Sequence, residues 1–254
     1  GEMSVENLYY QPPRSQPILK SINFRLAAGE SLGVIGPSAA GKSTLAKCLM
    51  GIYPPSFGTV RLDGADVYSW DREDFGQYVG YLPQDVELFP GTIKQNIARM
   101  QPLPEDEMVI AAAKIAGVHD MILRLPKGYD TEILQGHGNL SPGQRQRIGL
   151  ARAVYGNPRL VVLDEPNSNL DGEGEVALMA ALQQLKQSGC TTIIVAHRPS
   201  VLQIVDKILM IKSGAAEAFG PRDEMLARFS GGARRKLQEE AAGQQRLAPK
   251  EPNA

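Results

Sequence analysis

Cysteine is nearly absent from this sequence: only Cys48 and Cys190 occur in 254 residues. Their separation fits neither a metal-ligand spacing nor a disulfide framework. Cys48 falls in an apolar helical run and Cys190 just before a strand, so both are expected as reduced core thiols of a cytosolic protein. Net charge is missing as well. A formal charge of −1 gives no bulk attraction to nucleic acid or to an anionic membrane surface, and no nucleic-acid partner is expected. No run approaches the roughly 18 to 20 uncharged apolar residues that a spanning helix needs. Nor does a charged-then-apolar leader open the sequence, so any membrane anchor is expected outside these residues. Internal repeats are absent.

The composition is 43% apolar and 22% charged, as in globular proteins. The length suits one large domain or two closely packed subdomains. Short strand-like runs come first, at Ser4–Tyr10, Ile22–Leu26 and Ser31–Ile35, punctuated by Pro12, Pro13, Pro17 and Gly29. A helix is predicted from Lys42 to about Met50, then strands at Thr59–Leu62 and Val79–Leu82. From Pro90 to about Gly156 the texture is helical, with helices at Asp106–Ala116 and Gln144–Val154. Beyond it strand and helix alternate: strand Leu160–Leu163, helix Gly174–Gln187, strand Thr192–Ala196, helix Val201–Ile204, strand Ile208–Ile211. Uninterrupted apolar strands alternating with helices predict a parallel sheet covered on both faces, interrupted here by a helical insert. The tail from about Ser230 has few apolar anchors and is expected to be a frayed helix followed by disorder.

Gly36-Pro37-Ser38-Ala39-Ala40-Gly41-Lys42-Ser43 fits G-x-x-x-x-G-K-[ST] between a strand and a helix. The glycines let backbone N–H groups wrap a phosphate at the positive end of the helix dipole. Lys42 would place its charge between the β- and γ-phosphates, Ser43 would offer a hydroxyl to Mg²⁺, and Thr44 would reach the α-phosphate. The loop alone predicts nucleotide binding, without saying which nucleoside. The apolar strand Leu160–Leu163 ends in Asp164 and Glu165, and strand ends are where ligands sit in parallel sheets. Neighbours at a strand end point apart, so Asp164 is expected to support Mg²⁺ and Glu165 to face the water attacking the γ-phosphate.

Leu140-Ser141-Pro142-Gly143-Gln144 reads as a well-capped helix start, with Ser141 as N-cap, Pro142 at the first position and Gln144 closing a capping box. The pentapeptide also resembles the LSGGQ signature of ABC ATPases, and Arg145 to Ala153 continue the likeness. The resemblance runs from Ser4 to Phe229 and implies a P-loop NTPase (RecA-like) α/β core with an antiparallel β subdomain over 1–84 and 156–229. It implies a helical signature subdomain over 85–155, with 230–254 as a tail. It further implies ATP and Mg²⁺ as cofactors and a second copy of the chain as partner. In that head-to-tail dimer Ser141, Gly143 and Gln144 of one copy meet the nucleotide held by Gly36, Ser38, Ala39, Ala40, Gly41, Lys42, Ser43 and Thr44 of the other. Pro142 replaces the usual glycine, at a position that accepts proline.

By the same resemblance Gln84 touches Mg²⁺ and senses the transmembrane domain, Asp171 belongs to the D-loop at the dimer interface, and His197 contacts the γ-phosphate. Tyr10 is favoured over Tyr9 as the ring stacked on adenine. Gln84 to Ile97 looks like the exporter pattern Q-D-x-x-L-F-x-G-T-I-x-x-N-I, and Thr131–Gly138 occupies the exporter X-loop with Leu134 and Gln135 departing from it. The asparagines in Asp164-Glu165-Pro166-Asn167-Ser168-Asn169-Leu170-Asp171 resemble the PrtD-type ATPases of type I protein secretion. That likeness implies a transmembrane domain N-terminal in the same chain, a periplasmic adaptor, an outer-membrane channel and a polypeptide substrate. The expected location is the cytoplasmic face of a bacterial inner membrane. A lipid or drug exporter, or a soluble ABC ATPase, are the alternatives, the second disfavoured because no long coiled-coil or linker insertion is present.

Overall fold

The computed structural model describes residues 1–134, 140–196 and 199–228. In chain order it begins with β1 (Met3–Tyr10), β2 (Leu19–Leu26), β3 (Ser31–Ile35), α1 (Lys42–Leu49), β4 (Phe57–Leu62) and β5 (Ala65–Asp66). Next come α2 (Arg72–Tyr78), β6 (Val79–Leu82), β7 (Gly91–Thr92), α3 (Ile93–Ile97), α4 (Asp106–Ile115), α5 (His119–Leu123) and β8 (Glu132–Ile133). The rest is α6 (Pro142–Val154), β9 (Leu160–Asp164), α7 (Gly172–Gln187), β10 (Thr191–Val195), β11 (Lys207–Lys212) and β12 (Ala215–Pro221).

One sheet has the order β12-β11-β3-β10-β9-β6, parallel from β11 to β6 with β12 antiparallel at its edge. Its inner strands β3, β10 and β9 are buried on both sides, and successive residues feed different cores. Leu160 and Val162 pack with Leu45, Leu49 and the apolar residues of β1 and β2, whereas Val161 and Leu163 pack with Ile148, Leu178 and Leu182. Period-two alternation with apolar residues on both faces is what a sheet between two covering layers requires. Each such side chain contributes roughly 1.5–3 kcal/mol on burial. A second, antiparallel sheet has the order β2-β1-β4-β5. Among the described residues no helix is long and apolar enough to cross a membrane.

The structure corrects several sequence expectations. The segment expected as a helix at Val201–Ile204 is no α-helix: its first three residues belong to a 3-10 turn, Pro199–Gln203, and Ile204 follows it. The helix expected at Gly174 begins at Gly172, because the Asp171 side chain caps it by accepting from Gly174 N–H at 2.8 Å. The stretch from Pro90 is not purely helical, since β7 and β8 pair within it. Neither α2, capped by Asp71, nor β12 was foreseen.

Arg99 joins these parts. Its guanidinium and Nε donate to the carbonyls of Gly76, Val79, Arg152, Ala153 and Tyr155, at 2.6–3.1 Å. These carbonyls belong to the ends of α2 and α6, where helices leave acceptors without intrahelical partners. A cation there also meets the negative end of each helix dipole.

Candidate nucleotide site

Three strands of the parallel sheet deliver the site at their carboxyl ends. β3 leads into the glycine loop, β6 leads to Gln84, and β9 ends in Asp164 with Glu165 next after it. The loop can make its turn only with glycine at its ends. Gly36 has φ +151° and lies against β11 so closely that a Cβ would sit 2.1 Å from the Ile211 carbonyl. Gly41 has φ +102°, and a Cβ there would approach Ile18 O at 3.1 Å. Between them Ala39 adopts a left-handed φ of +60°.

Ser38, Ala39, Gly41, Lys42, Ser43, Thr44, Gln84, Glu165 and Ile18 line a cleft of about 420 Å³. Lys42, only 6% exposed, donates from Nζ to the carbonyls of Gly36 at 3.0 Å and Pro37 at 2.9 Å. Burial pushes its ammonium pKa down, opposed by the carboxylates of Glu165 and Asp164. Ser43 Oγ donates to Asp164 Oδ1 at 3.1 Å, and Gln84 Nε2 lies 3.4 Å from Glu165 Oε2. Asp164 is 1% exposed, and burial raises its pKa against the Ser43 hydrogen bond. Glu165 sits in the left-handed region at φ +52°, its N–H donating to Val195 O at 3.0 Å. Non-glycine residues rarely adopt that conformation, and it sets the Glu165 side chain apart from that of Asp164.

A glycine-bounded loop, a buried lysine, a serine backed by the buried Asp164 and a second carboxylate therefore meet at one cleft. A family profile described as ABC transporter matches residues 19–168, more than half of the chain. The chain belongs to the ABC transporter family. It is an ATP-binding domain of the ABC ATPase class. It is 56% identical over 225 residues to the type I secretion system ATP-binding protein PrsD of Rhizobium meliloti (strain 1021), covering 88% of this chain and 39% of PrsD. It is 38% identical over 232 residues to the leukotoxin translocation ATP-binding protein LktB of Mannheimia haemolytica, covering 91% of this chain and 33% of LktB. A solved structure of a bacterial Atm1-family ABC exporter with ATP bound superposes with a TM-score of 0.82 at 35% identity. That match covers 89% of this chain and 40% of the exporter. The chain thus spans about two fifths or less of the length of these family members.

Other expected site residues lie elsewhere. Gly36 and Ala40 shape the loop without lining the cleft. Ser141, Gly143 and Gln144 open α6, and the capping box is complete: Ser141 Oγ accepts from Gln144 N–H at 3.2 Å, and Gln144 Oε1 accepts from Ser141 N–H at 2.8 Å. Ser141 is exposed and is not among the residues lining the cleft. Asp171 caps α7. Tyr10 also lies off the lining, its ring stacked on Tyr53 at 5.2 Å and 5° between planes, while Tyr9 packs edge-on to Phe57. His197 and the stretch 135–138 lie outside the described residues.

The segment around Asn96 is tied together by buried side chains. Asn96 is fully buried, accepts from Phe89 N–H and donates to the carbonyls of Phe89 and Thr92. Thr92 and Gln95 form a capping box that starts α3, and Ile93 and Ile97 enter the core. Ile18 and Gln146 were not foreseen as neighbours of the site. For Gln146 the available signal was a polar residue in line with the apolar positions Leu150 and Ala153 of one helix.

Proposed function

We propose that this chain hydrolyses ATP between two copies arranged head to tail and so powers a membrane exporter of polypeptides, of the type I secretion class. One observation carries the reading. Lys42, Ser43, Gln84 and Glu165 converge on one cleft with Asp164 behind Ser43, while the exposed start of α6 is not part of it. A signature serving a nucleotide must then serve the one on a second copy. The substrate class follows the likeness to PrsD.

Lys42 and the loop N–H groups hold the β- and γ-phosphates, Thr44 the α-phosphate, and Tyr10 the adenine. Glu165 takes the proton of the attacking water, a role worth about 10²- to 10⁴-fold in rate. His197 contacts the γ-phosphate. The Ser43 hydroxyl, the Gln84 side-chain carbonyl and the Asp164 carboxylate are hard oxygen donors suited to Mg²⁺, which would neutralise charge on the phosphates. With so few protein ligands, the ion would arrive with the nucleotide. The starts of both α6 helices close on the two nucleotides, and Asp171 lies at the interface. Residues 85–155 form the signature unit against the core of 1–84 and 156–229; residues 230–254, read from the sequence as a tail, lie outside the described residues. The working location is the cytoplasmic face of a bacterial inner membrane, beside a transmembrane domain of the same polypeptide, a periplasmic adaptor and an outer-membrane channel.

The test is phosphate release with Mg²⁺ and ATP, together with secretion by the parent bacterium. Glu165→Gln should bind ATP like the wild type and lose turnover about 100-fold or more. Lys42→Ala in the gene should remove a secreted polypeptide from the medium. Wild-type-like hydrolysis by Glu165→Gln, or an unchanged set of secreted proteins, contradicts the reading.

A further inference from the structure

Gln146 is 1% exposed and lies inside α6, where its i+4 and i+7 neighbours Leu150 and Ala153 are buried. A primary amide there must find partners, because buried polar groups left unpaired are costly. It finds them on one turn. Nε2 donates to the carbonyl of Glu165 at 3.1 Å and of Pro166 at 2.8 Å, with a longer contact to Ser168 Oγ at 3.4 Å. Oε1 accepts from Asn169 N–H at 3.2 Å. A single side chain thus bridges α6 to Glu165, Pro166, Ser168 and Asn169 of one turn.

Two further features fit the same role. Gly143, in the first turn of α6, approaches the same turn so closely that a Cβ would lie 2.9 Å from Asn169 O. Glu165 holds its left-handed φ of +52°, a conformation that persists only when its surroundings fix it. Its carbonyl accepts from both Gln146 Nε2 and Ser168 N–H, the latter at 3.1 Å.

We infer that Gln146 is a positioning residue that locks the signature helix α6 to the turn carrying Glu165. It touches only backbone and the Ser168 hydroxyl, so it does no chemistry itself. The inference rests on the ATP-sandwich reading, in which Glu165 serves the chain's own nucleotide and the start of α6 serves the partner's. Gln146 then makes one rigid body of two elements working in opposite sites. Closure of one site sets the hydrolytic carboxylate of the other.

Gln146→Met keeps the size of the side chain and removes every hydrogen bond; Gln146→Glu keeps the acceptor for Asn169 and removes the donors. Both are measured on the purified chain for ATP affinity with a fluorescent ATP analogue, for KM and for kcat. Since Lys42, Ser43 and Thr44 are untouched, affinity and KM should stay within about threefold of wild type. Turnover should fall at least about tenfold, as expected when a reacting group is displaced by a fraction of an ångström to an ångström. Wild-type kcat in Gln146→Met, or affinity and kcat falling together, overturns the inference. Should Gln146→Met not fold, Ser168→Ala takes its place: Ser168 is exposed, its loss removes the longer contacts with the Gln146 amide and one from Asn169 Nδ2 at 3.3 Å, and kcat should fall about twofold or more at unchanged affinity. An unchanged kcat there overturns the inference equally. If wild type does not hydrolyse ATP, or Glu165→Gln does so freely, the sandwich reading itself fails. If both behave as expected while Gln146→Met matches wild type, only the role of Gln146 falls.

Discussion

The Ser43 hydroxyl donates to Asp164 Oδ1 across 3.1 Å, tying the first turn of α1 to the last residue of β9. The contact brings two Mg²⁺-suited oxygens together before any phosphate arrives. Ser43→Ala should therefore lose the Mg²⁺ dependence of ATP binding, and turnover should fall about 10- to 100-fold, the range seen when support of a metal site is removed. Titrating ATP with Mg²⁺ and again with EDTA checks this. A Mg²⁺ effect in Ser43→Ala as large as in wild type would remove Ser43 from that role.

Arg99 gives a prediction about stability. Lysine cannot reproduce its planar fork, so Arg99→Lys should leave several of five carbonyls without a donor, at a cost of about 1–3 kcal/mol for each that stays buried and unpaired. Urea unfolding should report a loss of at least about 2 kcal/mol. A midpoint equal to wild type would mean that water replaces the guanidinium at no cost.

Sequence legibility followed the kind of constraint. The glycine loop and the acid-ended strand were readable because local backbone geometry dictates their residues, as Gly36 beside Ile211 O illustrates. Capping boxes at Ser141 were readable for the same reason. Contacts whose partners are remote backbone carbonyls were not. Arg99 and Gln146 bond to atoms present in every residue, so no complementary side chain marks them. Edge strand β12, Ala-Ala-Glu-Ala-Phe-Gly-Pro, has little intrinsic strand preference and forms by pairing with β11. The pairing of Tyr10 with Tyr53 likewise joins β1 to the chain after α1 and leaves no local pattern.

The two thiols make a pH prediction. Burial pushes both Cys48 and Cys190 up to about 12 from an ordinary 9.0. Unfolded thiols therefore lose protons first, and stability falls as pH rises above about 9. By pH 10 the loss should reach roughly 1.4 kcal/mol per thiol. Both thiols should also resist a disulfide reagent at pH 8 until the chain is unfolded in urea. Rapid labelling of the folded chain would contradict their burial.

The central claim is that the signature of one copy serves the nucleotide of the other, and Ser141→Arg tests it most directly. Placed in Glu165→Gln to stop turnover, it is measured by analytical ultracentrifugation with ATP and by ATP affinity of the monomer. The account predicts that Glu165→Gln alone forms an ATP-dependent dimer holding two nucleotides. Added Ser141→Arg should abolish that dimer while monomer affinity stays within about threefold, because the residue lies outside the chain's own cleft. An undiminished dimer, or a monomer that no longer binds ATP, would contradict the account.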